Sequence, residues 1–244
     1  MKKRLENKVA VVTGSSKGIG AAIAKKIAEE GASVIVNFTR SNRDADHVVN
    51  QIQSQGGSAT AVQADISEQA GCDRLFDKCH EQYGRLDILV NNAGIYLPAS
   101  LGQINADHFH KQFNLNVLGL ILATQTALKL MADKSVIVNV SSVVSTLSPP
   151  HMSVYNATKA AVDSLTRTFA KELADRDIRV NSVNPGLIAT EGTKEAGIVL
   201  DGQLEIPNLG KIGLPEDIAD GVVFLASDES RWMSGQSIVM NGSP

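Results

Sequence analysis

The sequence predicts a single doubly wound α/β domain, a mostly parallel seven-stranded sheet with helices on both faces. Three observations carry this. Short apolar runs alternate with helix-like segments along the whole chain, the pattern of repeated strand–helix–strand units. The first run, Val9-Ala10-Val11-Val12, is apolar at every position, as in a strand covered on both faces. A glycine-rich turn, Thr13-Gly14-Ser15-Ser16-Lys17-Gly18-Ile19-Gly20, then joins that strand directly to a helix.

In order, the helix Ala21–Glu30 follows the turn, with Ile19, Ile23 and Ile27 on one face, and Gly31 stops it. Ser33–Phe38 reads as the second strand, Val48, Val49 and Ile52 mark a helix, and residues 59–64 form a third strand ending at Asp65. Leu75, Phe76, Cys79 and Tyr83 sit at helical spacing before a fourth strand, Asp87–Val90, which runs into Asn91-Asn92-Ala93-Gly94. One long helix is expected from about Ala106 to Met131. A fifth strand, Val136–Val140, delivers Ser141-Ser142. A second long helix spans about Ser153–Asp175, and Arg179–Val183 is a sixth strand closed by Asn184-Pro185-Gly186. Residues 187–214 have weak periodicity and several glycines, and are expected to cover one end of the sheet as a substrate loop. Pro215 opens a helix through Ile218, Val222, Phe224 and Leu225. Ser237–Met240 is the last strand. With no linker or repeat, residues 1–244 are expected to form one doubly wound domain.

Composition narrows the function. A length of 244 residues with 43% hydrophobic and 20% charged residues suits one domain with a sizeable core. The net charge of −3 offers no basic surface for nucleic acid. No apolar run approaches the roughly 18 residues of a membrane span, and the basic start Met1–Asn7 leads into no signal-like apolar stretch. Cys72 and Cys79 have the spacing of neither a redox pair nor a zinc site, so no metal is expected. These readings make the cytoplasm the default location.

Ligands of such sheets sit at the carboxyl ends of the strands. There the chain collects the glycine turn, Asp65, Asn91–Gly94, Ser141-Ser142 and Pro185-Gly186. Strand, glycine turn and helix together present backbone N–H groups and a helix N-terminus to a phosphate. A triphosphate P-loop is disfavoured, since no Lys-Ser or Lys-Thr follows the last glycine. Tyr155 and Lys159 lie one helical turn apart, and an ammonium beside a phenol lowers its pKa, which would make the pair a general acid/base. Such spacing is also common on helix surfaces. Ser142, ending a strand, is placed to hydrogen-bond a carbonyl oxygen facing the tyrosine, or simply to cap. Asn116, inside an apolar helix, suggests a buried hydrogen-bonding role, whereas Asn114 reads as solvated.

Thr13-Gly14…Gly18-x-Gly20, Asp65, Asn91-Asn92-Ala93-Gly94, Asn116, Ser142, Tyr155-x-x-x-Lys159 and Pro185-Gly186-x-x-x-Thr190 occur in order and at family-like spacing. Over essentially its whole length the chain resembles a classical short-chain dehydrogenase/reductase, similar to 3-oxoacyl-[acyl-carrier-protein] reductases and related ketoreductases. It departs at its end, Asn241-Gly242-Ser243-Pro244, where relatives carry Asp-Gly-Gly. The resemblance implies a Rossmann fold, a homotetramer paired through the two long helices, and reversible hydride transfer between NADP(H) and a small-molecule carbonyl substrate. It implies that Tyr155 exchanges the proton, Lys159 lowers the Tyr155 pKa and holds the nicotinamide ribose, Ser142 polarises the carbonyl, and Asn116 holds a water leading to Lys159. The cofactor would lie along Gly14, Ser16, Lys17, Gly18, Ile19 and Gly20, then Asp65 and Ile66 at the adenine, and Asn92, Ala93 and Gly94. Pro185, Gly186, Ile188 and Thr190 complete the set, the last two at the carboxamide. NADP(H) is expected over NAD(H), because Asn37-Phe38-Thr39-Arg40 offers no carboxylate to a ribose hydroxyl while Lys17 and Arg40 can meet a 2′-phosphate.

The pocket segments offer Tyr96, Met152, Ile198, Val199, Leu200, Leu204 and Ile206, with His151 at the rim, so a neutral, apolar ketone is expected. Of the two arginines that carrier-protein reductases present to their acidic carrier, one falls on Arg176 and the other on Asp133. The alternatives are a 3-oxoacyl-[acyl-carrier-protein] reductase and, more remotely, a non-enzymatic NADP-binding sensor.

Overall fold

A computed structural model describes residues 3–195, 205–206 and 210–242. The chain begins with β1 (Val9–Val12), α1 (Gly18–Glu29), β2 (Ser33–Phe38), α2 (Asn42–Ser54), β3 (Ser58–Gln63), α3 (Gln69–Tyr83) and β4 (Leu86–Asn91). It continues with α4 (Ala106–Phe113), a π-helical turn Asn114–Gly119, α5 (Leu120–Ala127), β5 (Met131–Val140), α6 (Val144–Leu147) and α7 (Ser153–Glu172). β6 (Arg179–Pro185), α8 (Glu191–Glu195), the antiparallel pair β7 (Glu205–Ile206) and β8 (Gly210–Lys211), α9 (Pro215–Ala226) and β9 (Ser237–Met240) complete it.

Seven strands form one parallel sheet in the order β3-β2-β1-β4-β5-β6-β9. Val12 of β1 pairs with Val36 on one side and Val90 on the other. The chain therefore winds outward from β1 through β3, returns, and winds the other way from β4. That reversal opens a crevice beyond the carboxyl ends of β1 and β4.

Strand residues alternate between two apolar layers. Ala10, Val12, Val34 and Val36 pack with Ile23 and Ile27 of α1 and Val222 and Leu225 of α9. Val11, Ile35, Leu89 and Ile137 pack with Leu75 and Cys79 of α3 and Ala123 of α5. Both cysteines are buried thiols, pushed up by desolvation to about 11 for Cys72 and about 12 for Cys79, and so inert as nucleophiles.

Two expectations are corrected. The helix expected from Ala106 to Met131 is α4, a widened π turn and α5, and Met131 belongs to β5. The widened turn carries Asn116 into the interior (2% exposed), and Gly119 there packs so closely on Ile66 that a Cβ would lie 3.1 Å from the Ile66 carbonyl oxygen. The second long helix ends at Glu172, with a short 3₁₀ turn at Ala174–Arg176. Within residues 187–214, Ile198, Val199, Leu200 and Leu204 lie outside the described residues, as does the side chain of Ile206. Among the described residues no helix is long and apolar enough to cross a membrane, and no His, Cys, Asp and Glu cluster suits a metal.

Candidate active site

The glycine turn is held by its neighbours' polar groups. Gly14 has φ +60, and a Cβ there would lie 2.9 Å from the Ala93 Cα. A Cβ on Gly20 would lie 2.5 Å from the Gly14 carbonyl oxygen and 2.9 Å from the Ser15 Cα. Only glycine fits either position. The Gly14 N–H donates to Asn37 Oδ1 at 3.0 Å and the Ser15 N–H to the Asn37 carbonyl at 2.8 Å. Asn37, 2% exposed, also donates to the Ala64 carbonyl at 3.0 Å, so one amide ties the turn to β2 and β3. Thr13 Oγ1 accepts from the N–H groups of Asn92 and Ala93, both at 3.0 Å. No side chain caps α1, so its first-turn N–H groups keep their donor capacity for an anion. Ser16, Lys17, Gly18 and Thr190 line one groove, with Gly18 at φ +57 facing the Thr190 methyl. A cradle that excludes side chains beside an uncapped helix start fits a dinucleotide pyrophosphate.

The second cluster lies at the carboxyl ends of β4, β5 and β6. Ser142, following β5, is held by a 3.4 Å bond from its hydroxyl to the Pro185 carbonyl and a 3.3 Å bond from the Val144 N–H. Its hydroxyl is near enough to Tyr155 to favour the phenolate. Tyr155 keeps part of its surface open, and Lys159 is buried one turn along α7. The Lys159 Nζ lies 5.6 Å from the Tyr155 ring centre and donates to the Val140 carbonyl at 2.8 Å. A Cβ on Gly94 would lie 3.7 Å from that Nζ and 3.2 Å from Asn116 Oδ1. Tyr96 meets Tyr155 edge to face, centroids 5.8 Å apart.

The electrostatics reverse one expectation. Burial pushes the Tyr155 phenol up to about 12, against the pull of the Ser142 hydroxyl, rather than Lys159 bringing it down. Burial also lowers the Lys159 ammonium to about 8, opposed by the Asp163 carboxylate.

Other expected residues take different positions. Both Asn116 N–H bonds are committed, to the Ile95 carbonyl at 2.8 Å and Thr158 Oγ1 at 3.1 Å, and its Oδ1 accepts from the Ile95 N–H at 2.8 Å. That leaves the expected water a second lone pair on Oδ1 and the main-chain carbonyl. Asn92 donates to the carbonyls of Thr13 and Gly14, so its amide braces the turn rather than reaching for a ribose. Asp65 is exposed but accepts from the Ser67 hydroxyl at 2.7 Å and N–H at 3.0 Å. Ile66 and Ile188 are buried, and Ile188 bridges to Gly213. Gly186 packs against Asn241. Lys17 and Arg40 are exposed near the amino end of α1 and the end of β2. Asn37 and Gln112 were missed. For Asn37 the signal available was an amide in an otherwise apolar strand, whereas Gln112 stands among His108, His110 and Lys111 and nothing in the sequence marks it.

Fold and site together define an oxidoreductase that binds a nicotinamide dinucleotide at the switch point of a parallel sheet. The chain belongs to the short-chain dehydrogenase/reductase family, and the family model described as enoyl-(acyl carrier protein) reductase matches residues 14–242. It is 47% identical over 243 residues to an uncharacterized oxidoreductase of Methylorubrum extorquens, covering 98% of each chain. It is 37% identical over 241 residues to a 3-oxoacyl-[acyl-carrier-protein] reductase of Synechocystis, covering 98% of this chain and 97% of the relative. A crystal structure of a short chain dehydrogenase from Burkholderia cenocepacia in complex with NADP superimposes with a TM-score of 0.88 at 35% identity, covering 98% of both chains. The protein is an NADP-dependent oxidoreductase.

Proposed function

We propose that the protein reduces a neutral, largely apolar ketone to a secondary alcohol, reversibly, through Ser142, Tyr155, Lys159 and Asn116. The observation that carries this is the meeting of Ser142, Tyr155 and Lys159 beside Gly94 at one partly open site. NADPH, held along Gly14–Gly20, Asn92–Gly94 and Pro185–Thr190, supplies the hydride, with Lys17 and Arg40 for its 2′-phosphate. Tyr155 Oη holds the proton that the carbonyl oxygen takes. A phenol near 12 is protonated at neutral pH, so the proton that reduction needs is in place. The Ser142 hydroxyl, held by the Val144 N–H and turning its proton from the long 3.4 Å bond to Pro185, orients the carbonyl toward it. The buried Lys159 ammonium, 5.6 Å from the Tyr155 ring centre, holds the nicotinamide ribose. Asn116 orders the segment at Ile95 that borders Gly94.

The second reading, a 3-oxoacyl-[acyl-carrier-protein] reductase, is favoured by the Synechocystis relative. Arg176 speaks against it, because its Nε donates to Asp133 at 3.1 Å and its other nitrogens bond the Leu128 and Met131 carbonyls. An arginine tied to a carboxylate is a poor landing point for an acidic carrier.

Loss of NADPH absorbance with a panel of ketones, an enoyl thioester and a carrier-bound acetoacetyl group tests these readings. Ketone turnover is expected, with Tyr155→Phe reducing it at least about 10²-fold while NADPH fluorescence still reports binding. Binding without turnover of any ketone would instead indicate a sensor. Turnover of the enoyl thioester alone would move the chemistry to the carbon–carbon double bond.

A further inference from the structure

We propose that Gln112 is a positioning residue for the substrate pocket: it clamps the strap Ile95–Leu97 so that Tyr96 stands against Tyr155. The inference rests on the reading of Tyr155 as proton donor.

Gln112 is fully buried, and a buried amide is costly unless its groups are bonded. Two of its three bonds go to Leu97, and its Nε2 also lies 3.4 Å from the His108 Nε2. Its Oε1 accepts from the Leu97 N–H at 3.1 Å, and its Nε2 donates to the Leu97 carbonyl at 3.3 Å. The His108 Nε2 reinforces the same carbonyl at 2.9 Å. One turn along, Asn116 makes the same reciprocal pair of bonds with Ile95, both at 2.8 Å. Residues four apart on a helix rise about 6 Å, and residues two apart in an extended chain span about 6.6 Å. The spacings agree, so helix and strap pair antiparallel, Gln112 with Leu97 and Asn116 with Ile95. The wide turn at Asn114–Gly119 lies within this seam.

Tyr96 sits between the two clamped residues, and its ring meets Tyr155 at an interplanar angle of 63°. The strap is pinned again downstream. The Ala99 N–H donates to the His151 carbonyl at 2.8 Å, and Ser100 Oγ lies 3.1 Å from His151 Nδ1. His151 takes φ +63 to make this contact. Held from both ends, the Tyr96 ring forms a fixed wall beside the proton donor. Releasing Gln112 leaves Leu97 only the His108 contact at its carbonyl and loosens the strap on the far side of Tyr96, while Ser142, Tyr155 and Lys159 keep bonds in which Gln112 takes no part.

A double-mutant cycle of Gln112→Met and Tyr96→Leu tests this, with kcat and KM for a bulky apolar ketone, NADPH Kd from fluorescence, and Tm. Gln112→Met is expected to raise KM about tenfold, with kcat and NADPH Kd within about threefold. Added to Tyr96→Leu it should cost less than about twofold more, because the wall is already gone. Additive losses, or equal losses in kcat and NADPH affinity, would show Gln112 to be an ordinary structural residue and overturn the proposal. If Gln112→Met does not fold, Gln112→Asn, which keeps both polar groups but is one methylene short, carries the same cycle. Tyr155→Phe run in parallel separates the two readings. Turnover surviving it strikes the proton-donor assignment itself, whereas turnover lost with an additive cycle strikes only Gln112.

Discussion

At the scale of single residues, Lys159 holds a charge where charge is disfavoured. Burial depresses its pKa to about 8, from an ordinary 10.5. Between those values the unfolded chain binds the proton and the folded chain does not, so the Lys159 contribution to stability rises with pH through that window. Below about 8 both states are protonated and the full penalty of burial is present. Comparing Lys159→Met with wild type by denaturant unfolding should therefore show the stability gap, variant minus wild type, shrinking as pH rises from 8 to 10.5. A gap constant with pH would mean that Lys159 is not desolvated. The same titration predicts that ketone reduction declines above about pH 8, as the ammonium beside Tyr155 is lost. Tyr155, Lys159 and Ser142 could be picked out as candidates through the ordered set of family-like motifs, since the Tyr155–Lys159 spacing alone is common on helix surfaces. The direction of the Tyr155 shift could not. It follows from how far the surrounding groups desolvate the phenol, which no spacing reports.

At the scale of elements, the turn between β1 and α1 does the most. Its three glycines could be read from the sequence, yet the reasons differ by position. Gly18 requires a positive φ, Gly20 requires space, and Gly14 requires both. Gly20→Ala brings a methyl to 2.5 Å from the Gly14 carbonyl oxygen and forces α1 away from the turn. NADPH affinity measured by fluorescence should fall more than about tenfold, since the helix start and the cradle would no longer be in line. Unchanged affinity in a folded Gly20→Ala protein would remove this turn from the cofactor site. The brace behind the turn, Asn37 and Asn92, was harder to see, because an asparagine at a strand end looks the same whether it binds a ligand or the backbone. The long helix misled for a related reason. Apolar periodicity runs through residues 106–131 and does not register a π turn, which shifts the face by one residue and turns Asn116 inward.

At the scale of the molecule, alternating strand and helix patterns were enough to predict the doubly wound sheet, because the central strands β1, β2 and β4 are buried on both faces. They did not reveal which charges neutralise one another across the chain. Asp133 lies near the amino end of β5 and Ser142 just past its carboxyl end, so Arg176 and Asp133 sit at the opposite edge of the sheet from the site within one chain. We propose a homotetramer, to which the exposed Phe109 and Leu118 on the helix carrying Asn116 contribute apolar surface, and in it a carrier docked at Arg176 would have to serve a neighbouring subunit. The Asp133 carboxylate opposes that docking twice, by repelling an acidic surface and by occupying the guanidinium. The carrier-bound acetoacetyl group should therefore show a kcat/KM no more than about tenfold above the best free ketone. Asp133→Arg should raise the carrier value severalfold, more at low than at high salt, while leaving free-ketone turnover in place, because only the steered encounter involves this charge. A wild-type preference for the carrier well beyond tenfold, with no salt-dependent gain in Asp133→Arg, would assign the protein to acyl-carrier chemistry instead.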